Sequence, residues 1–395
     1  MSTALELALG VVFLPVVLSS AYLFVLTLLS GPERVPAPRR PTTRFRFVIP
    51  AHDEAAGIAA TVKSVLSVDY PRDLYDVLVV ADNCSDDTAA LARAAGAEVL
   101  ERRSDTERGK GYALHYAFDR LPENVTAAVV IDADTLVSPN LLVAFDARIA
   151  AGASAVQADY AVRNPDAAWR TRLIAIALGA FHVLRSRARE RLSVSVGLRG
   201  NGMCFTTEVL RAVPHVAYSL VEDLEYGVRL AEAGVRVVYA GEAHVYGEMV
   251  TTSKAATSQR KRWEEGRALF RKANAVRLLR AGLAGNPVLL DIAFDVLVPP
   301  LSRIVVGTGL AFLLATIGAA VFGGFAGSLT TYGACLGAIA LYVFRGWMLS
   351  GTGARGLATM ALAPVYVAWK LTIRSEPKKA ESPEWVRTRR ESSGP

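Results

Sequence analysis

The chain has 395 residues, 52% of them apolar and 21% charged, with a net charge of +7 and a mean hydropathy of +0.29. An ordinary soluble domain carries about 25% charged residues, so disorder, collagen and a small disulfide scaffold are excluded and a wholly soluble enzyme is disfavoured. Cys84, Cys204 and Cys335 stand far apart without metal-ligand spacing, which gives no zinc site and fits a reducing compartment.

Residues 7–32 carry no charge and are long enough for a span, which needs ~20 apolar residues. A cleavable signal peptide would start basic and have a shorter apolar stretch; here Glu6 is the only early charge. Arg34, Arg39, Arg40, Arg44 and Arg46 follow against Glu33. The positive-inside rule therefore places the N-terminus outside and the next domain in the cytoplasm. That domain alternates strand and helix patterns: strands at 45–50, 76–81, 98–100 and 127–131, helices at 55–68, 87–95 and 110–118. Near-continuous Val/Ile runs between helices predict a parallel sheet covered on both faces. In such sheets ligands bind at the carboxyl ends of the strands.

Polar and acidic residues gather at three strand ends: Ala51-His52-Asp53-Glu54, Asp82 to Asp87, and Asp132-Ala133-Asp134. Asp at a helix N-cap explains any one of them, and Asp86, Asp87 or Ser85 is expected to cap the second helix. In an extended segment Asp132 and Asp134 point the same way. Two carboxylates there make a partial octahedral oxygen site for Mg²⁺ or Mn²⁺, to be completed by diphosphate oxygens and water. Residues 108–111 (RGKG) resemble a phosphate nest only loosely, and no dinucleotide or P-loop glycine motif is present.

The second half adds Glu222, Asp223 and Glu225 in four positions. Glu222 and Glu225 are expected to share a helix face, with Asp223 pointing elsewhere. Thirty-six residues beyond Asp223 stands Gln259-Arg260-Lys261-Arg262-Trp263. Guanidiniums bind phosphate in a fork, and an indole stacks on a sugar ring, so this cluster suits a diphosphate and a sugar. From Lys254 to Arg280 there are nine Lys/Arg and two Glu, and from Arg163 to Arg191 seven Arg and two acids. Both stretches read as basic amphipathic helices at the inner membrane face. Nothing between Arg303 and Arg345 is charged, giving spans near 302–322 and 329–348 with a glycine-rich turn outside. The apolar stretch 356–369 contains Pro364 and is short for a span, so a crossing and an interfacial placement both remain open.

Read in order, these elements resemble the membrane-embedded branch of glycosyltransferase family 2, which includes cellulose, chitin and hyaluronan synthases and bacterial exopolysaccharide synthases. The resemblance implies an α/β GT-A (Rossmann-like) cytosolic domain with α-helical transmembrane segments. It divides the chain into an N-terminal span (1–32), a GT-A domain (40–253), an interfacial segment (254–285), a C-terminal transmembrane region (286–375) and a basic tail (376–395). It implies nucleotide contacts from Ala51, His52, Glu54, Asp82, Lys110 and Asp132, a divalent ion on Asp134, and Asp223 as general base. Gly200, Asn201, Gly202, Glu222, Gln259, Arg262 and Trp263 fall where the family holds donor and acceptor. Ala81 and Asn83 replace an Asp and a Gly common in relatives, which leaves Asp82 as the main candidate for the base contact and puts the exact geometry at the uracil in question.

The implied reaction is inverting transfer from a nucleotide sugar, expected to be a UDP-sugar, to a β-linked glycan or a lipid-linked acceptor. It would occur at the inner face of the plasma membrane in a multi-pass protein. A polyprenyl-phosphate sugar synthase, a single-sugar-adding enzyme and an inactive nucleotide-binding scaffold are the alternatives. So few spans are narrow for a polymer channel, which a homodimer or a partner protein would have to complete. A membrane-anchored chain with an acidic site argues against nucleic acid as a partner.

Overall fold

The computed structural model describes residues 2–37, 39–249 and 253–372, except for the side chains of 253–263 and 371–372. Helix α1 (Ser2–Leu29) leads into β1 (Phe45–Ala51), α2 (Ile58–Leu66), β2 (Tyr75–Asp82), α3 (Thr88–Ala94), β3 (Glu98–Arg102), α4 (Lys110–Phe118) and β4 (Ala127–Val130). Then come β5 (Thr135–Val137), α5 (Leu141–Ala150), β6 (Ala155–Val162), α6 (Trp169–Leu178), a π-helical turn (Gly179–Leu184), α7 (Arg185–Arg191), β7 (Met203–Thr206), α8 (Thr207–Ala212), α9 (Glu222–Glu232) and β8 (Val237–Gly247). The chain continues through α10 (Ser253–Leu283), α11 (Pro287–Leu297), α12 (Leu301–Phe322), α13 (Ala326–Leu349), α14 (Gly353–Thr359) and α15 (Ala363–Thr372).

Eight strands form one sheet in the order β3-β2-β1-β4-β7-β6-β8-β5. The first four are parallel, as the sequence predicts. The rest corrects the purely parallel expectation: β7 runs antiparallel to both β4 and β6, and β5 antiparallel to β8, so the sheet is mixed. The reversal follows Gly202, whose φ of +67° lets the chain turn in against Val245 and Ala158. Strand alternation sorts the core. Phe45, Phe47 and Ile49 pack under α2 and α5 on one face, and Val48 meets Leu114, Phe205 and Tyr226 on the other. Fully burying each such side chain is worth roughly 1.5–3 kcal/mol. The polar member of β1, Arg46, is kept inside by Asp76 at 2.5 Å and Glu98 at 3.0 Å.

Helices α1, α12 and α13, of 28, 22 and 24 residues, are each long and apolar enough to cross a membrane, in agreement with the three predicted spans. They pack on one another through apolar side chains, with Leu23 and Leu26 of α1 in one cluster with Ile304 and Ile339, while Ser19, Ser20 and Thr27 turn back onto carbonyls of their own helix. Glu6 accepts a hydrogen bond from Ser328 N at 2.9 Å, capping the start of α13. The stretch 356–369 is broken into α14, a 3-10 turn and α15, and neither helix is long enough to cross. Near the end of α15, Lys370 Nζ lies 2.8 Å from Glu264 of α10.

The helical run α6, π-turn and α7 corrects a second expectation. It packs against α13, where a Cβ on Gly346 would lie 2.9 Å from Ala180 Cα. Arg185 and Arg189 are 5% and 4% exposed and face Asp291 and Asp295 of α11 rather than lipid headgroups. Both pairs are spaced i,i+4, so each forms a row along its own helix.

Candidate active site

The sheet's carboxyl ends open into a cavity of about 870 Å³. At one end lie Asp132 and Asp134. The segment between them is a turn, closed by Thr135 N donating to Asp132 O at 3.1 Å, and not the extended strand that the alternation argument assumes. Both carboxylates nevertheless line the same cavity. The turn is gripped from two sides. Asn201 Oδ1 accepts from Asp132 N at 3.1 Å and its Nδ2 donates to Thr135 Oγ1 at 2.8 Å; from α2, Thr61 Oγ1 donates to Ala133 O at 2.9 Å. Gly57 permits that approach, since a Cβ there would sit 3.3 Å from Ala133 O.

Lys110 opens α4 and points across the cavity. Its ammonium donates to Asp132 Oδ1 and to Gly200 O, both at 2.5 Å, and stands 3.7 Å from Glu222 Oε1. Burial works against the ammonium, but Asp132 and Glu222 outweigh it and its pKa is raised. Glu222 and Asp223, in the first turn of α9, both line the cavity, contrary to the expectation that they diverge. Glu225 turns away to accept from Ser219 N at 3.2 Å. Burial pushes Glu222 up to about 7, with Lys110 opposing and Asp223 adding to the rise. Burial also raises Asp223, against the pull of Leu224 N–H, Lys110, Arg267 and Arg199.

Several predicted residues lie elsewhere. Asn201 and Gly202 are buried supports of the turn and of β7 and do not reach the cavity wall; Gly200 does. Glu54 lines the cavity, whereas Ala51, His52 and Asp82 do not. Asp82 is 1% exposed and bound by Arg102 Nη1 at 2.8 Å, while His52 Nδ1 lies 2.8 Å from Asp82 O. Asn83 holds a φ of +51°, the left-handed region that glycine supplies and Asn tolerates, so its replacement of glycine leaves the turn intact. Asp86, not Asp87, serves the start of α3: its Oδ1 accepts from Thr88 N at 3.0 Å. The side chains of Gln259, Arg262 and Trp263 lie outside the described residues, as does the tail 376–395.

Beyond Asp223 the cavity continues past residues that sequence reasoning did not select. Phe181 enters it from the π-turn, a geometry that often marks functional sites. Arg199, Arg185 and Arg267 surround its ring, with guanidinium carbons 5.7, 4.6 and 5.3 Å from the centroid. Next come Arg189, Asp291 and Asp295, then Pro299, Pro300, Leu301 and Tyr342 at the base of α12 and α13. One available signal is Arg199's place directly before Gly200-Asn201-Gly202.

A mixed sheet with a β4-end Asp-x-Asp turn, and a carboxylate pair at a helix start facing it, defines a GT-A-type glycosyltransferase. The family described as "Glycosyltransferase like family 2" matches residues 41–266, and the chain belongs to it. Among its relatives is the β-monoglucosyldiacylglycerol synthase of Synechocystis sp., 29% identical over 238 residues, 57% of this chain and 48% of that protein. The probable glycosyltransferase YdaM of Bacillus subtilis is 24% identical over 234 residues, 56% of this chain and 55% of that protein. The chain thus spans about half the length of the curated relatives it matches. A mannosyltransferase from Pyrobaculum calidifontis, solved with GDP-Man and Mn²⁺, shares the fold with a TM-score of 0.53 at 18% identity, covering 87% of this chain and 99% of that one. Residues 41–266 thus form a glycosyltransferase domain of this family.

Proposed function

We propose that this enzyme transfers a sugar from a UDP-sugar, with inversion, to an acceptor hydroxyl borne by a membrane lipid, at the inner face of the plasma membrane. The observation that carries this reading is the continuity of the cavity from Asp132 and Asp134 to Pro299, Pro300, Leu301 and Tyr342 at the base of the candidate spans. The relatives named for monoglucosyldiacylglycerol synthesis point the same way. Incubation of the purified protein in lipid nanodiscs with a panel of nucleotide sugars tests it. A glycolipid product is expected; nucleotide release without any glycolipid refutes it. Growth of a β-linked polysaccharide is the second reading, favoured by the sequence Gln259 to Trp263. A ladder of product lengths from one donor supports it, and one sugar per lipid opposes it.

In the proposed reaction the acceptor oxygen bonds to the anomeric carbon while the bond from that carbon to the diphosphate breaks. Asp223 takes the hydroxyl proton, so an α-linked donor yields a β product. Lys110, between the two acidic clusters, is placed to give its donors to the diphosphate. Asp132 and Asp134 offer hard oxygen donors on one cavity wall, a set that fits Mg²⁺ or Mn²⁺. Such an ion, when bound, offsets the charge on the departing diphosphate. Asp134→Ala is therefore expected to abolish Mn²⁺ binding followed by electron paramagnetic resonance and to lower turnover at least tenfold. Full activity in excess EDTA contradicts the assignment.

The Glu222–Asp223 pair sets a pH dependence. The charge of Asp223 adds to the rise of Glu222, and Asp223 acts only when ionised. Activity should fall as pH drops through its raised pKa. Glu222, pushed up to about 7, is already neutral where Asp223 titrates, so Glu222→Gln should leave the acid limb of kcat/KM in place. A limb that shifts or disappears in this variant assigns the titration to Glu222 and speaks against Asp223 as the titrating base.

A further inference from the structure

Four guanidiniums, of Arg185, Arg189, Arg199 and Arg267, line the cavity on the membrane side of Asp223, against the two carboxylates of Asp291 and Asp295. Three of the four are matched. Arg185, Arg189 and Arg267 reach Asp295 at 2.6, 2.9 and 3.1 Å, and Arg189 also reaches Asp291 at 2.8 Å. Arg199 is not. Its Nη2 donates to Ser186 Oγ at 2.6 Å and to His182 O at 3.4 Å, both uncharged, and its Nε is buried without a partner. Among the described residues no carboxylate comes within ion-pair distance of it; Asp295, Asp159 and Asp223 act on it only from farther off. His182 supplies no charge of its own: burial and the nearby Arg199 hold its pKa well below the usual range.

A half-buried guanidinium with no carboxylate in contact is stabilised when an anion meets it. The ring of Phe181 fixes its plane. The next residue in the chain, Gly200, is beside the catalytic carboxylates: a Cβ there would lie 3.6 Å from both Asp223 Oδ2 and Lys110 Nζ. An anion on Arg199 thus lies between the general base and the membrane end of the cavity.

Resting on the lipid-acceptor reading above, we propose that Arg199 binds a phosphodiester of the acceptor. The acceptor would then be a lipid with a free hydroxyl a few atoms from its headgroup phosphate, rather than a neutral diglyceride. The guanidinium forks onto the phosphate oxygens and sets the neighbouring hydroxyl against Asp223. The hydroxyl oxygen then bonds to the anomeric carbon, its proton passes to Asp223, and the nucleoside diphosphate leaves. Arg199 is on this account a specificity determinant for the acceptor.

The test compares three acceptors at equal concentration with the full-length protein in neutral phosphatidylcholine vesicles: phosphatidylglycerol, diacylglycerol and soluble glycerol 3-phosphate. Phosphatidylglycerol is expected to give the highest kcat/KM, by tenfold or more over diacylglycerol. Arg199→Gln should raise the KM for phosphatidylglycerol roughly ten- to hundredfold, the range for one charge-assisted hydrogen-bonding group. UDP affinity by calorimetry should stay unchanged, and Arg199→Lys should restore part of the loss. Equal use of diacylglycerol by the wild type and by Arg199→Gln overturns the phosphate site while leaving a lipid acceptor in place. Equal use of glycerol 3-phosphate overturns the lipid-borne acceptor but not the phosphate contact. A weakened affinity for UDP in Arg199→Gln assigns the residue to the donor diphosphate and overturns the proposal.

Discussion

Asp223→Asn is expected to lower sugar transfer by about 10²–10⁴-fold, the usual contribution of a positioned general base, with nucleotide binding retained. Asn keeps the shape, so the hydrogen bond from Leu224 N to Oδ1, 2.8 Å in the structure, survives the change. What is lost is a group able to take a proton. The raised pKa of the buried Asp223 matters here, because a stronger base is better matched to a hydroxyl at neutral pH than an exposed Asp. Single-turnover transfer and UDP calorimetry on the same preparation check both halves. A variant retaining more than about a tenth of the wild-type rate would move the role to Glu222, the other carboxylate beside Lys110.

Asp82 and Asp132 were legible at strand ends because the strands leading to them are. The runs DVLVVA and AAVVI are buried on both faces, so β2 and β4 read as continuous apolar stretches, and Asp132 falls just past the end of β4. Helix α4 begins at Lys110 as predicted, because Gly109 takes a positive φ just before it. The spans were legible because a helix of ~20 uncharged, apolar residues matches the thickness of a hydrocarbon core. The second half of the sheet was not. Strand β7 has only four residues, and its pairing with β4 and β6 is long-range. The surroundings of Asn201 and Asp82 were not legible for a related reason. A polar side chain near a site reads alike in sequence whether it touches ligand or holds a turn, and only its partners, Asp132 N and Arg102, decide. The arginines of α7 failed differently. A basic helix facing lipid headgroups and one facing buried acids share a pattern until the acids, a hundred residues onward, are brought opposite.

That facing pair of rows yields the largest expected effect on stability. Asp295 accepts from Arg185, Arg189 and Arg267 and is 13% exposed at its side chain. Burial acts to raise its pKa, but Arg189, Arg185 and Arg267 hold the carboxyl well below the usual range. Removing one partner from a buried network leaves charges without compensation, at a typical cost of ~3–5 kcal/mol. Asp295→Asn should therefore lower the melting temperature of the detergent-solubilised protein by several degrees or more, although the volume is unchanged. The adjacent Asp291, bound by Arg189 at 2.8 Å and by Tyr22 OH at 2.9 Å, is not expected to substitute, since Arg185 and Arg267 do not reach it. Adding Arg185→Met to Asp295→Asn deletes one of the stranded cations and should recover part of the loss. A double variant less stable than Asp295→Asn alone would mean that Arg185 acts through its packing on Phe181 and its 2.9 Å bond to Tyr342 rather than through charge. Because Tyr342 belongs to α13 and Asp295 to α11, the same measurement tests whether the candidate active-site cavity and the candidate spans are held together as one electrostatic unit.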